Sequence, residues 1–171
     1  MQHCYELRYK NVFLRPLLED DIESLRKWRN KPDSSLYLRK IPFITKEMQI
    51  EWYREYKENE DEMIFAIIED DVLKRLVGSL SLYQFNGPEC LFGKILIGDN
   101  EAHGRKIGLN ATMAAAKIAF EQLGINRVNL YVFPENIAAC KTYQRAGFVV
   151  SDIHLDCMGR KEYIMTKVRG M

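Results

Sequence analysis

The sequence predicts an α+β fold, a sheet of about seven strands flanked by about four helices. Three observations carry that expectation. Apolar residues recur at helical spacing in four stretches, and β-prone runs bounded by turn residues occupy seven others. Three of those strand runs follow one another through short connections, which suits an antiparallel meander. No internal repeat, low-complexity tract or linker divides the chain, so residues 1–171 are read as a single domain.

Taken in order, Val12 to Leu14 is a short β-prone run that ends at Arg15-Pro16. Glu19-Asp20-Asp21 then places acids where a helix dipole favours them, and Ile22, Leu25 and Trp28 continue at helical spacing. Asn30 to Ser35 breaks that helix. Leu36 to Phe43 is expected to be irregular, because Pro42 resists regular pairing. Thr45 can cap a second helix carrying Met48, Trp52, Tyr53 and Tyr56. The meander strands are Met63 to Ile68, Leu76 to Tyr83 and Cys90 to Ile97, the last two joined through Asn86-Gly87-Pro88. A helix over 106–123 comes next, with Leu109, Met113, Ala116, Phe120 and Leu123 on one face and Gly124 as its stop. Arg127 to Phe133 is the next strand, Pro134-Glu135-Asn136 starts a helix that ends near Gly147, and Phe148 to Leu155 and Glu162 to Val168 close the sheet.

A chain of 171 residues can bury about two thirds of its unfolded surface, enough for a real core. Its net charge of +1 gives no overall pull toward nucleic acid or an anionic membrane, and neither is expected as a partner. Cys4, Cys90, Cys140 and Cys157 are scattered without a CxxC pair, and with His3, His103 and His154 they give no metal-ligand spacing. No metal is therefore expected. The first residues lack a signal peptide's apolar core, and no run approaches the length of a membrane span, so the cytoplasm is the expected location.

The chemistry is expected at residues 103 to 110, His-Gly-Arg-Lys-Ile-Gly-Leu-Asn, a basic loop between a strand and a helix. The first turn of a helix has backbone N–H groups without intrahelical partners, and its dipole adds partial positive charge. Gly104 and Gly108 let the backbone approach a ligand closely, and Arg105 and Lys106 add full charges. A phosphate or pyrophosphate is the natural guest. The competing account is an ordinary exposed loop that starts a helix. Neither Gly-x-x-x-x-Gly-Lys-Ser/Thr nor Gly-x-Gly-x-x-Gly is present, so P-loop and dinucleotide-fingerprint readings fail.

A second constellation, residues 136–148, reads Asn-Ile-Ala-Ala-Cys-Lys-Thr-Tyr-Gln-Arg-Ala-Gly-Phe. With Asn136, Ala139, Tyr143 and Gly147-Phe148, it resembles the strand-helix motif of the GNAT superfamily of acyl-CoA N-acyltransferases. The family's pyrophosphate loop is Gln or Arg, two residues, Gly, one residue, then Gly or Ala. His103-Gly104-Arg105-Lys106-Ile107-Gly108 is similar, with His103 and Lys106 departing at the first and fourth positions. The resemblance spans almost the whole chain. Leu14-Arg15-Pro16-Leu17 and Trp28-Arg29-Asn30 look like the branch of ribosomal-protein N-terminal, polyamine and amino-sugar-nucleotide acetyltransferases.

That resemblance implies a three-layer fold with a mixed, mostly antiparallel sheet, and acetyl-CoA as co-substrate. It implies that His103, Gly104, Arg105, Lys106, Ile107, Gly108 and Leu109 hold the pyrophosphate. The pantetheine arm would lie between the strands ending at Ile97 and Phe133, touching Leu96, Ile97, Asn136, Ala139 and Tyr143. A backbone N–H around Leu96 would stabilise the oxyanion. Tyr143 would protonate the departing thiolate, since a phenol stays protonated at neutral pH; a lone helix tyrosine would instead simply pack on the sheet.

The base that takes the acceptor's proton is Glu89 or a water. Where relatives carry Glu, this chain has Leu91, and Glu89 shares its strand parity. Arg29, Tyr37 and Arg39 fall where the family builds its acceptor pocket, and arginines suit an anionic acceptor. Cys140 is read as a buried residue, not a nucleophile. The expected function is direct acetyl transfer to a primary amine of a small molecule, an amino-sugar nucleotide being the favoured class. The alternatives are a ribosomal-protein-type N-terminal acetyltransferase and a CoA-binding module without catalysis. A homodimer is compatible with any of them.

Overall fold

The computed structural model describes residues 2–32 and 42–170. Among them, eight strands form one sheet in the order β1-β2-β3-β4-β5-β6-β8-β7. The strands are β1 (Leu7–Tyr9), β2 (Val12–Pro16), β3 (Glu62–Glu69), β4 (Arg75–Asn86), β5 (Glu89–Ile97), β6 (Arg127–Val132), β7 (Val149–Leu155) and β8 (Lys161–Val168). Four α-helices accompany them: α1 (Ile22–Arg29), α2 (Lys46–Glu58), α3 (Ile107–Lys117) and α4 (Ile137–Arg145). The count exceeds the expected seven by β1, a three-residue strand too short to show a period. The irregular stretch expected at Leu36 to Phe43 falls mostly outside the described residues.

The meander expected at β3-β4-β5 is antiparallel throughout. β5 and β6 are the parallel pair, and that pairing makes the sheet mixed. Thr45 caps α2 by accepting from the Met48 N–H, as its residue type predicts. The helix expected over 106–123 is α-helical to Lys117 and then widens into a π-helical stretch, Ile118–Gln122, before Gly124 takes a positive φ of 70°.

Two cores pack against the two faces of the sheet. Leu80, Leu82, Phe92, Val128 and Leu130 point one way, toward Ala111, Ala114, Ala115 and Ile118 of α3 and its extension, and toward Phe148. Ile64 and Ala66 point the other way, toward Ile22, Leu25 and Tyr56 of α1 and α2. Small side chains on α3 let that helix lie close to the sheet. Full burial of each large apolar side chain contributes about 1.5–3 kcal/mol. The β7 edge is exposed along its whole length.

Two irregularities in β5 shape the surface beside it. Ser79 pairs with Leu96 and Ser81 with Gly93, so β5 carries one extra residue across that step, and Lys94 sits there at φ 52°. Such a bulge bends its strand. The β5–β6 ladder covers only Glu89, Cys90 and Leu91 against Arg127, Val128 and Asn129. Beyond it β6 pairs with β8 alone, and the two strands part.

Candidate active site

The loop after β5 is built for close approach. Gly104 has φ 77°, and open space lies where a side chain on it, or on Gly108, would sit. Lys106 adopts φ 59° as the N-cap of α3, the left-handed conformation that glycine enters without steric cost. So a lysine holds a conformation open to glycine at the position where the resemblance expects glycine. No side chain caps α3, and its first turn carries no acid. The N–H groups at residues 107–109 therefore keep their positive potential for a ligand.

The loop is held from behind. Asn110 Nδ2 donates to Asn11 Oδ1 at 2.7 Å, and Asn11 Nδ2 donates to the Arg105 carbonyl at 3.1 Å. Arg105 Nε donates to the Glu101 carbonyl, which steers the guanidinium along the loop. The His103 ring turns back, with Nε2 3.3 Å from the Ile97 carbonyl. The side chain of Ile107 is buried and that of Leu109 half-buried in the core, so these two can offer a ligand chiefly their backbone.

Strand parity corrects the expected oxyanion donor. The Gly98 N–H donates to Val77 of β4 at 2.9 Å, and backbone groups alternate along a strand. Leu96 therefore directs its N–H at β4, inside the ladder with Ser79. Ile95 and Ile97 direct theirs away from β4, into the gap beside β6. The Ile97 carbonyl, which meets His103, faces that same side. Residue spacing alone leaves open which N–H groups face the gap, because parity is set by the ladder.

Across the gap, Asn136 caps α4, its Oδ1 accepting from the Ala139 N–H at 3.2 Å, which leaves Nδ2 to donate outward. Tyr143 is buried and meets Phe92 edge-on and Phe148 at a steep angle. Its pKa is pushed up to about 12, first by burial and then by Cys140 and Tyr83. The phenol thus stays protonated across the working pH range, and among the described residues its hydroxyl takes no hydrogen-bond partner. Cys140 is half-buried and donates to the Phe133 carbonyl, and burial pushes its thiol up.

Glu89 is not brought to this place. It lies seven residues before Leu96, which at about 3.3 Å per residue is roughly 20 Å along the strand. Its carboxylate accepts from Asn129 Nδ2 at 3.1 Å and sits 3.4 Å from Arg127. Its parity is that of Leu91, and it stands at the opposite end of β5 from Leu96. Tyr37 and Arg39 lie outside the described residues.

Arg29, at the end of α1, does line a pocket of about 410 Å³ that also touches Leu96. Trp52, Gln49 and Met48 of α2 form its wall; Glu62, Ser79, Ser81 and Lys94 form its floor. Burial pushes the Arg29 guanidinium down from its ordinary value. Sequence reasoning missed Glu62, Ser81 and Lys94. Glu62 opens a strand after a run of acids and looks like part of it, and Lys94 reaches the pocket only through the bulge. The alternation Ser79-x-Ser81-x-Tyr83 was the available signal of a polar face.

Among the described residues, no group of three or more His, Cys, Asp or Glu side chains could hold a metal ion, and no helix is long and apolar enough to cross a membrane. The parted strands, the basic loop at a helix start and the buried tyrosine together define an acyl-CoA-using transferase scaffold. Residues 11–149 match the family model for the acetyltransferase (GNAT) domain, and the chain belongs to that family of acetyl-CoA-dependent N-acetyltransferases. It is 28% identical over 136 residues to the acetyltransferase PseH of Campylobacter jejuni, covering 80% of this chain and 82% of that one. It is 27% identical to the probable N-acetyltransferase YjcK of Bacillus subtilis, covering 96% and 91%. Its fold superposes on the Vibrio cholerae spermidine N-acetyltransferase, solved in complex with CoA and spermine, with a TM-score of 0.82 at 21% identity, covering 93% and 96%.

Proposed function

We propose that this chain transfers an acetyl group directly from acetyl-CoA to the primary amine of a small molecule that also carries an anionic group, an amino-sugar nucleotide being the favoured class. The observation that carries this reading is the mixed charge of the pocket beside β5. A carboxylate, Glu62, stands in its floor, and Arg29 stands at its α1 wall. An acceptor with an amine and a phosphate is complementary to both.

In this reading the amides of residues 104–109, with Arg105 and Lys106, hold the pyrophosphate. The pantetheine arm runs along the side of β5 that faces away from β4 and bonds Ile97 and Asn136. The Ile95 N–H stabilises the tetrahedral oxyanion, because it faces the gap and lies next to the bulge. Tyr143 gives its proton to the leaving thiolate. Cys140, its thiol pushed up by burial and, among the described residues, donating to the Phe133 carbonyl and to no histidine, favours direct transfer over an acyl-enzyme.

The test is release of CoA thiol with four acceptor sets: amino-sugar nucleotides, polyamines, aminoglycosides and ribosomal N-terminal peptides. Turnover concentrated on the amino-sugar nucleotides is the expected result. Turnover on peptides alone would replace the substrate class, and tight CoA binding with no turnover on any acceptor would favour a binding module without catalysis.

A further inference from the structure

We propose that Glu62 is the site that receives the acceptor's ammonium group and takes its proton, and that Lys94 is a stand-in that fills this site until the acceptor arrives. This rests on the acetyl-transfer reading above.

The geometry is that of an ammonium cage. Lys94 Nζ donates to both carboxylate oxygens of Glu62, at 2.8 and 2.7 Å. Ser81 Oγ donates to Oε1 at 2.7 Å and fixes the carboxylate's orientation. The same Nζ lies 4.8 Å from the centroid of the Tyr83 ring, whose face attracts cations. Two carboxylate oxygens and an aromatic face around one primary ammonium are what an acceptor amine would require.

The location fits as well. Glu62, Ser81 and Lys94 all line the pocket that reaches Leu96, and Lys94 is the positive-φ residue of the bulge where β5 leaves β6. Tyr83 lies against Gly93, one residue before it, and is close enough to Tyr143 to raise that phenol's pKa. The cage on one face of the sheet and the phenol on the other therefore flank the same step of β5. Lys94 can vacate. Its side chain is half exposed, on a long flexible stem, whereas the Glu62 side chain is only 14% exposed. Ion pairs with one exposed partner open readily.

In the balanced step, the incoming ammonium displaces Lys94 Nζ, and Glu62 takes one proton to become a carboxylic acid. The freed lone pair forms the C–N bond at the thioester carbonyl. The C–S bond breaks with its electron pair on sulfur, and the thiolate takes the Tyr143 proton. The protonated amide nitrogen returns a proton to the phenolate, and Glu62 releases its own to water. Among the described residues, the charged and titratable groups facing Glu62 include Lys94 on β5, Tyr83 on β4, Tyr56 on α2 and, across the pocket, Arg29 on α1.

The experiment compares the wild type with Glu62→Gln, Glu62→Asp and Lys94→Met, reading kcat/KM for a primary-amine acceptor against pH and acetyl-CoA affinity by calorimetry. Glu62→Gln should lose about 100-fold in kcat/KM near neutral pH, and recover as the pH nears about 10 and the amine deprotonates unaided. Acetyl-CoA affinity should stay as in the wild type, which also certifies folding, and Glu62→Asp should fall between the two. Lys94→Met should lower KM, because a competitor for the carboxylate is gone. A Glu62→Gln profile that overlays the wild type, or a Lys94→Met variant with a raised KM, overturns the assignment while leaving acetyl transfer intact. A wild type that acetylates no amine overturns both.

Discussion

The Phe92 ring meets the Tyr143 ring edge-on, with centroids 6.0 Å apart at 80°. Phe92 is on β5 and Tyr143 on α4, so this contact joins the strand that bears the bulge to the helix that bears the phenol. Removing the hydroxyl while keeping the ring should leave that packing intact.

Tyr143→Phe should therefore lower kcat by about 100-fold, the scale of a lost general acid, while acetyl-CoA affinity stays close to the wild type. Steady-state CoA-thiol release and calorimetry read the two quantities. Because the phenol's pKa is pushed up to about 12, the wild-type rate should show no alkaline limb from this group at ordinary assay pH.

Phe92→Ala should remove the ring against which Tyr143 is set and leave a cavity in a fully buried place. A loss of about 3–5 kcal/mol in urea unfolding is expected. A much smaller loss would mean that α4 closes onto β5 without it.

Asn11→Ala should cut the tie between the hairpin of β1 and β2 and the loop before α3. The buried Asn110 amide would lose its partner, at a cost of about 1–3 kcal/mol, and the Arg105 carbonyl would lose its donor. CoA affinity should fall together with stability, which separates a loop-holding role from a purely structural one.

Lys106→Gly should relieve the left-handed backbone at the head of α3 and raise stability by up to about 1 kcal/mol in urea unfolding. The same change removes a charge beside the pyrophosphate, so the salt dependence of CoA binding should become shallower.

His3 makes stability depend on pH in a definite direction. Burial is the largest cause that lowers its pKa from 6.5, and its Nε2 meets the Ile64 carbonyl at 3.1 Å. A depressed folded pKa means that the folded state binds fewer protons than the unfolded chain. The stabilising contribution is therefore fully present above pH 6.5 and is lost as pH falls through the folded value. His3→Phe should flatten this part of the stability profile, measured by unfolding midpoints on either side of pH 6.5.

The strands and helices with a clear period were legible in the sequence. Ala114 and Phe120 announce their helix, and Val128 and Leu130 their strand, because one apolar face determines each. The loop around Gly108 and the motif around Tyr143 stand out in the sequence by residue type and spacing. The positions of Glu62 and Ile95, and so the roles proposed for them, do not. Their places depend on which strand neighbours which and on a one-residue bulge, and both are long-range facts of pairing. Glu89 shows the converse: correct parity, without the ladder, assigns a residue to a face but not to an end.

The strand order carries a consequence for synthesis. β8 lies between β6 and β7, yet it is made after both. Among the described residues β7 has no other strand to join, so a nascent chain halted before Lys161 would present Val149, Val150 and Ile153 on an unzipped ribbon, and β6 would lack its antiparallel neighbour. The edge facing β5 gains its antiparallel support only when β8 joins, so the gap between β5 and β6 is braced by a strand made after both of its walls.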